Sequence, residues 1–148
     1  MSEYIRFARL AIVLLLLFLV GRLMVGAMGV PYERGTGIFS LVTLSWILSF
    51  VFAAFSRPLR GYGWKQAAML GATIVFCAQL LIFATTAVSY LVGVETYFNH
   101  PSALNSVEPV SFGWALLTRV GGLVANTIFG SIWASFGYLG GKLLPKAG

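Results

Sequence analysis

The chain has 148 residues, 59% of them hydrophobic and only 9% charged, with a formal net charge of +6. No polar stretch is long enough to bury a soluble core of its own, the longest running over about 95–111. The positive charge does not point to nucleic acid either, because the bases flank apolar stretches and build no basic groove.

Four predominantly apolar stretches, 7–29, 38–55, 67–92 and 112–139, dominate the chain. Each reaches the roughly 18–20 residues that carry a helix across a hydrocarbon core of about 30 Å. Helices satisfy their own backbone groups in lipid, whereas the Leu14-Leu15-Leu16-Leu17-Phe18-Leu19 run lacks the period of two that a membrane barrel strand requires. The expected fold is all-α: a polytopic integral membrane protein whose four transmembrane helices form a single bundle over 1–148.

The first span follows Arg6 and Arg9 in the manner of a signal peptide. Its apolar stretch is longer than an h-region and Ala27-Met28-Gly29 is a poor cleavage match, so a retained helix is expected. Pro31 disfavours helical geometry in the residue before it and should end this helix by Val30. A short turn leads to the second span, which Ser56-Arg57-Pro58 should close. The loop 59–65 mixes Arg60 and Lys65 with Tyr62 and Trp64, a composition suited to headgroups. The third span is long enough to require tilt. The 93–111 loop after it holds the only histidine, His100, close to Tyr97, and is the place to expect recognition of something outside the membrane.

Charge sets the expected topology. Arg6, Arg9, Arg57, Arg60, Lys65, Lys142 and Lys146 flank one set of span ends; the other two loops hold Arg34 against Glu33, Glu95 and Glu108. Bases near span ends stay cytoplasmic, which predicts both termini inside and, by default, a bacterial inner membrane.

Two arginines stand inside the spans. Arg22 lies about seven residues before the outer end of the first helix and Arg119 about seven after the outer start of the fourth, each near 10 Å below the outer surface. A guanidinium at that depth is costly, and no span contains an acidic residue to offset it. The side chains can snorkel to phosphates, reach the loop glutamates, contact another subunit, or face inward and hold an anion such as a carboxylate or a lipid phosphate. Spacings of three and four place Arg119, Gly122, Asn126, Gly130, Trp133, Gly137 and Gly141 on one stripe of the fourth helix, and Gly26 and Gly29 beside Arg22 on the first. Small residues permit close helix approach in lipid, so these glycines are candidate packing positions, and Asn126 joins the arginines as a candidate ligand. Gln79, Ser45, Ser49, Thr85 and Thr86 are expected to bond between helices, and Trp46 to pack on a neighbouring helix.

The absences narrow function further. One histidine and one cysteine, Cys77, leave no haem ligation, metal cluster or redox pair, so no cofactor is expected. A small multidrug carrier would need a membrane glutamate and a quinone-linked thiol oxidoreductase paired cysteines. The expectation is a non-enzymatic accessory or assembly subunit, or a binder of an anionic lipid or ligand, working as a homo-oligomer or within a larger membrane complex. A small-anion channel or carrier is the alternative, and an enzyme acting at the outer leaflet the third reading.

Overall fold

The computed structural model describes residues 2–32 and 37–144. The expected arginine–glutamate contact through Glu33, and the charges of Arg34 and Lys146, lie outside them. Among the described residues the protein is entirely helical: α1 (Ser2–Phe7), α2 (Arg9–Ala27), α3 (Leu41–Arg60), α4 (Trp64–Val92) and α5 (Phe112–Gly141), with a 3₁₀ turn at Pro101–Leu104. The helices α2, α3, α4 and α5 are each long and apolar enough to cross a membrane, with mean hydropathies from 1.3 to 2.6. The chain thus reads as a multi-pass membrane protein.

Local chemistry moved several helix ends from their expected places. Gly29 sits at φ +77°, outside α2, and stops that helix at Ala27, before Pro31 can. A Cβ on Gly29 would meet nothing within 4 Å, so this glycine serves the turn and not helix packing. Pro58 does not close α3, which continues to Arg60 and is capped by Gly61 at φ +65°. Proline removes one backbone donor, and the acceptor it deprives is the carbonyl of Ala54. Pro58 lies in the last turn, so the helix loses little, and the Ala54 carbonyl lies directly against Gly141 of α5. The helix α4 starts early, at Trp64, because Gln66 Oε1 accepts the Gly63 N–H at 2.7 Å and so stabilises the first turn.

The helices α3, α4 and α5 pack most closely. Antiparallel α4 and α5 meet in pairs whose numbers rise along one helix as they fall along the other: Gly71 with Ala134, Val75 with Gly130, Thr86 with Arg119. Parallel α3 and α5 meet through Ser49 with Gly130, Phe50 with Gly137 and Ala54 with Gly141. A Cβ added to Gly137 or Gly141 would strike the backbone carbonyl of Phe50 or Ala54. The glycine stripe of α5 is thus a seam between helices of one chain. Ser49 donates to the Gly130 carbonyl at 2.9 Å across it, and Trp46 packs on Phe129 with ring centroids 4.7 Å apart.

The helix α2 is added on the side, placing Ala11 and Leu15 against Leu48, Leu70, Ile74 and Ala78. At one end of the helices, Tyr62 donates to Glu3 Oε1 at 2.9 Å and packs edge-on to Tyr4. Burial, and then the bond to Glu3, push the Tyr62 phenol above its ordinary pKa, so it is the donor at neutral pH. At the opposite end lies the 93–111 loop.

Candidate functional site

The two arginines are turned inward, toward this loop. Arg119 projects from the second turn of α5 across the α4 seam. Its Nε donates to Thr86 Oγ1 at 3.1 Å, Nη1 to the Ala103 carbonyl at 3.2 Å and Nη2 to the Phe98 carbonyl at 2.7 Å. Every nitrogen of the guanidinium thus meets an oxygen of the protein, and none of those oxygens is a carboxylate. Thr86 itself donates to the Ile82 carbonyl at 2.8 Å, so one hydroxyl links the α4 backbone to the guanidinium.

Arg22 is only 3% exposed. Its Nη1 donates to the Ile38 carbonyl at 2.7 Å, and its Cζ lies 3.4 Å from the centroid of the Tyr97 ring, a cation–π contact shielded from water. The carbonyl of Ile38 is presented by an unusual residue: Phe39 holds φ +51°, a left-handed conformation that a bulky side chain avoids. Its ring is seated edge-on against Phe18, centroids 5.2 Å apart, and over Gly21, whose missing side chain leaves the space. A Cβ on Gly21 would lie 2.9 Å from that ring. Gly21→Ala is therefore expected to displace Phe39 and cost about 1 kcal/mol in a detergent unfolding titration; an unchanged midpoint would show that the ring moves freely.

The 93–111 loop is well built for an interhelical connection. Phe98 is 2% exposed and packs with Leu41 and Ile82. Thr96 N–H donates to Asn99 Oδ1 at 2.7 Å, Asn99 Nδ2 to the Val94 carbonyl at 3.1 Å, and Tyr90 to the Val110 carbonyl at 2.6 Å. Asn105, at φ +53°, ends the 3₁₀ turn in a conformation asparagine tolerates. His100 lies against Tyr32, ring centroids 4.9 Å apart and planes tilted by 50°, and holds Nε2 3.9 Å from Glu95 Oε1. Burial, then the charge of Glu95, raise the Tyr32 phenol above its ordinary pKa. His100 Nδ1 accepts the Ser102 backbone N–H at 3.3 Å, so that nitrogen is not offered to a serine hydroxyl as a base. Among the described residues no group of three metal-ligating side chains gathers.

Three hollows surround these groups. Arg22, Arg119, Phe39, Ser40, Tyr97 and Ala103 contribute to one of about 130 Å³. Arg22, Gly26, Tyr32, Glu95 and Tyr97 contribute to a second of about 280 Å³. The third, about 450 Å³, is a cleft beside His100, Asn99, Glu95 and Val107. The first is the hollow that both arginines line. Asn126 is not beside it: its Nδ2 donates to the Gly122 carbonyl of its own helix at 2.8 Å, two turns below Arg119. Gly122 makes only ordinary contacts, with Asn126 and Gln79, and Gly26 faces the ring of Tyr32 and not another helix.

Comparison of the chain with protein-family models, curated proteins and solved structures finds no match. The site therefore rests on its own geometry. Several of its parts carried no signal in the sequence. Gly21 and Phe39 look like ordinary members of apolar runs, and Thr86 like any membrane threonine. Gly71, which touches Ser49, Gly130 and Ala134 at once, belongs to no visible stripe. The one available cue was the depth shared by Arg22 and Arg119, which marks where partners had to come from.

Proposed function

We propose that the protein is a non-enzymatic four-helix membrane subunit, with both termini and the Arg57–Lys65 segment cytoplasmic, that presents the 93–111 loop as a rigid recognition surface on the outer face. It acts as an accessory or assembly component for another membrane protein or a second copy of itself. The observation that carries this reading is the use Arg119 makes of its donors: each of its three nitrogens gives one bond, and together these bonds fix the loop to the helices. A residue committed in this way organises structure, and a loop held in one conformation binds a partner without the entropic loss of ordering itself. Val107, 99% exposed in the loop, and the His100–Tyr32 ring contact supply apolar and aromatic contact surface.

A second reading, binding of a small anion or an anionic headgroup, draws on the hollow of about 130 Å³ shared by the two arginines, whose lining includes no acidic side chain. An anion channel draws less support, since a conducting arginine needs donors free to exchange between ions.

Reconstitution discriminates these readings. Liposomes containing the protein alone and a chloride gradient are expected to show no flux above empty vesicles. From native membranes, the affinity-tagged chain should bring down a stoichiometric partner that His100→Ala with Val107→Asp releases. Chloride flux abolished by Arg119→Leu would overturn the accessory reading in favour of transport.

A further inference from the structure

At the end of the helices away from the loop, α1, α2 and α3 leave a groove of about 300 Å³. Its floor is Phe7, Leu10, Val51, Phe52 and Phe55, with Arg9 at its edge. Leu10, Val51 and Phe55 are 60%, 39% and 47% exposed, so the floor is open to whatever lies beside the helices. The groove is pre-formed: the Phe7 and Phe52 rings meet edge-to-face at 5.8 Å, and Arg60 places its Cζ 5.3 Å over the Phe7 ring. That contact holds a second guanidinium against Phe7, a residue of the groove's floor.

We infer that this groove holds one acyl chain of an anionic phospholipid, whose phosphate is bound by Arg9 and Arg60. An apolar groove with Arg9 at its edge and Arg60 on the ring of Phe7 matches a lipid in both its parts. Charge selects the occupant. Arg6, Arg9, Arg57, Arg60, Lys65 and Lys142 lie at this end, against one acidic side chain among the described residues there, Glu3, whose Oε1 accepts from Tyr62. A second copy of the chain would bring the same positive charge into the groove and be repelled, whereas a phosphate diester is attracted. Guanidinium donors also suit the oxygens of a phosphate better than an ammonium does. This inference is independent of the role given to the loop.

Native mass spectrometry of the full chain in detergent, titrated with dioleoyl phosphatidylglycerol or dioleoyl phosphatidylcholine, tests it. The first bound phosphatidylglycerol is expected to bind at least tenfold more tightly than phosphatidylcholine. Arg9→Gln should weaken it about fivefold, the usual effect of one base near an anionic surface. Val51→Trp, an exposed position where a larger ring is accommodated, should fill the groove and abolish the tight class. Lys142→Gln, at the same end but outside the groove, should leave it within twofold. Equal affinity for the two lipids, or equal losses from Arg9→Gln and Lys142→Gln, would overturn the proposal and mark the attraction as diffuse.

Discussion

Gly137→Leu is expected to separate α5 from α3 and to lower stability by about 3 kcal/mol or more. Overpacking a core costs about 1–3 kcal/mol when side chains can move aside. Here the obstacle is the backbone carbonyl of Phe50, which lies inside the volume a Cβ would need and cannot change rotamer. The helix must move as a body, and that opens the Ser49–Gly130 bond and the Phe50–Trp133 contact together. In lipid no hydrophobic force restores the contact, because hydrocarbon solvates the parted faces as well as they solvate each other. An unfolding titration in mixed micelles of dodecyl maltoside and dodecyl sulfate would show a midpoint at much lower denaturing detergent. Leu16→Ile, at a position 44% exposed on α2, is the control and should leave it in place. Similar losses from the two substitutions would mean that the glycine seam does not hold the helices together.

Arg119→Leu is expected to free the 93–111 loop while leaving the helices packed. It removes three charge-assisted bonds, each of the kind that contributes about 1.5–3 kcal/mol, and leaves the Phe98 and Ala103 carbonyls without their guanidinium donors. Hydrogen–deuterium exchange would report this as accelerated exchange of amides from Thr96 to Leu104, with the middle of α4 and α5 unchanged. Arg119→Lys retains the charge but has one nitrogen where three are needed, so it should recover only a minority of the protection. Protection identical to that of the unaltered protein in Arg119→Leu would show that Phe98 burial alone holds the loop, and would remove the basis of the accessory reading.

These two outcomes concern features the sequence disclosed to different degrees. The four apolar stretches were legible because the length of a membrane-crossing helix is set by lipid and not by its neighbours. The α5 stripe was legible too, since glycines at spacings of three and four can share only one face. What Arg119 touches was not. Its partners are two backbone carbonyls in a loop, and a carbonyl has the same signature at every position in a chain. Gly29 shows the opposite failure: by spacing it continues the Arg22 and Gly26 face of α2, yet its positive φ places it outside that helix. Asn126 shares a face with Arg119 but is two turns away, and its amide bonds its own helix. Pro58 misled for a further reason, because the penalty for proline depends on how many bonds remain to be made, and in a last turn few do.

The attachment of Arg22 has a consequence for how the protein is made. Its ring partner, Tyr97, lies about 75 residues further along the chain. At about 5–20 residues per second that separation amounts to roughly 4–15 seconds of synthesis. During that interval α2 enters the membrane carrying a guanidinium whose aromatic cover has not yet been translated. Insertion of an arginine costs about 2.5–3.5 kcal/mol at the centre of a helix, and less at Arg22, which lies nearer the end of α2. The rest of α2, with the highest mean hydropathy of the four long helices at 2.6, offsets that cost unaided. The leucines and valines of α2, many of them exposed on the side of the helix away from its neighbours, thus also act before the fold is complete, as ballast for a charge awaiting its partner.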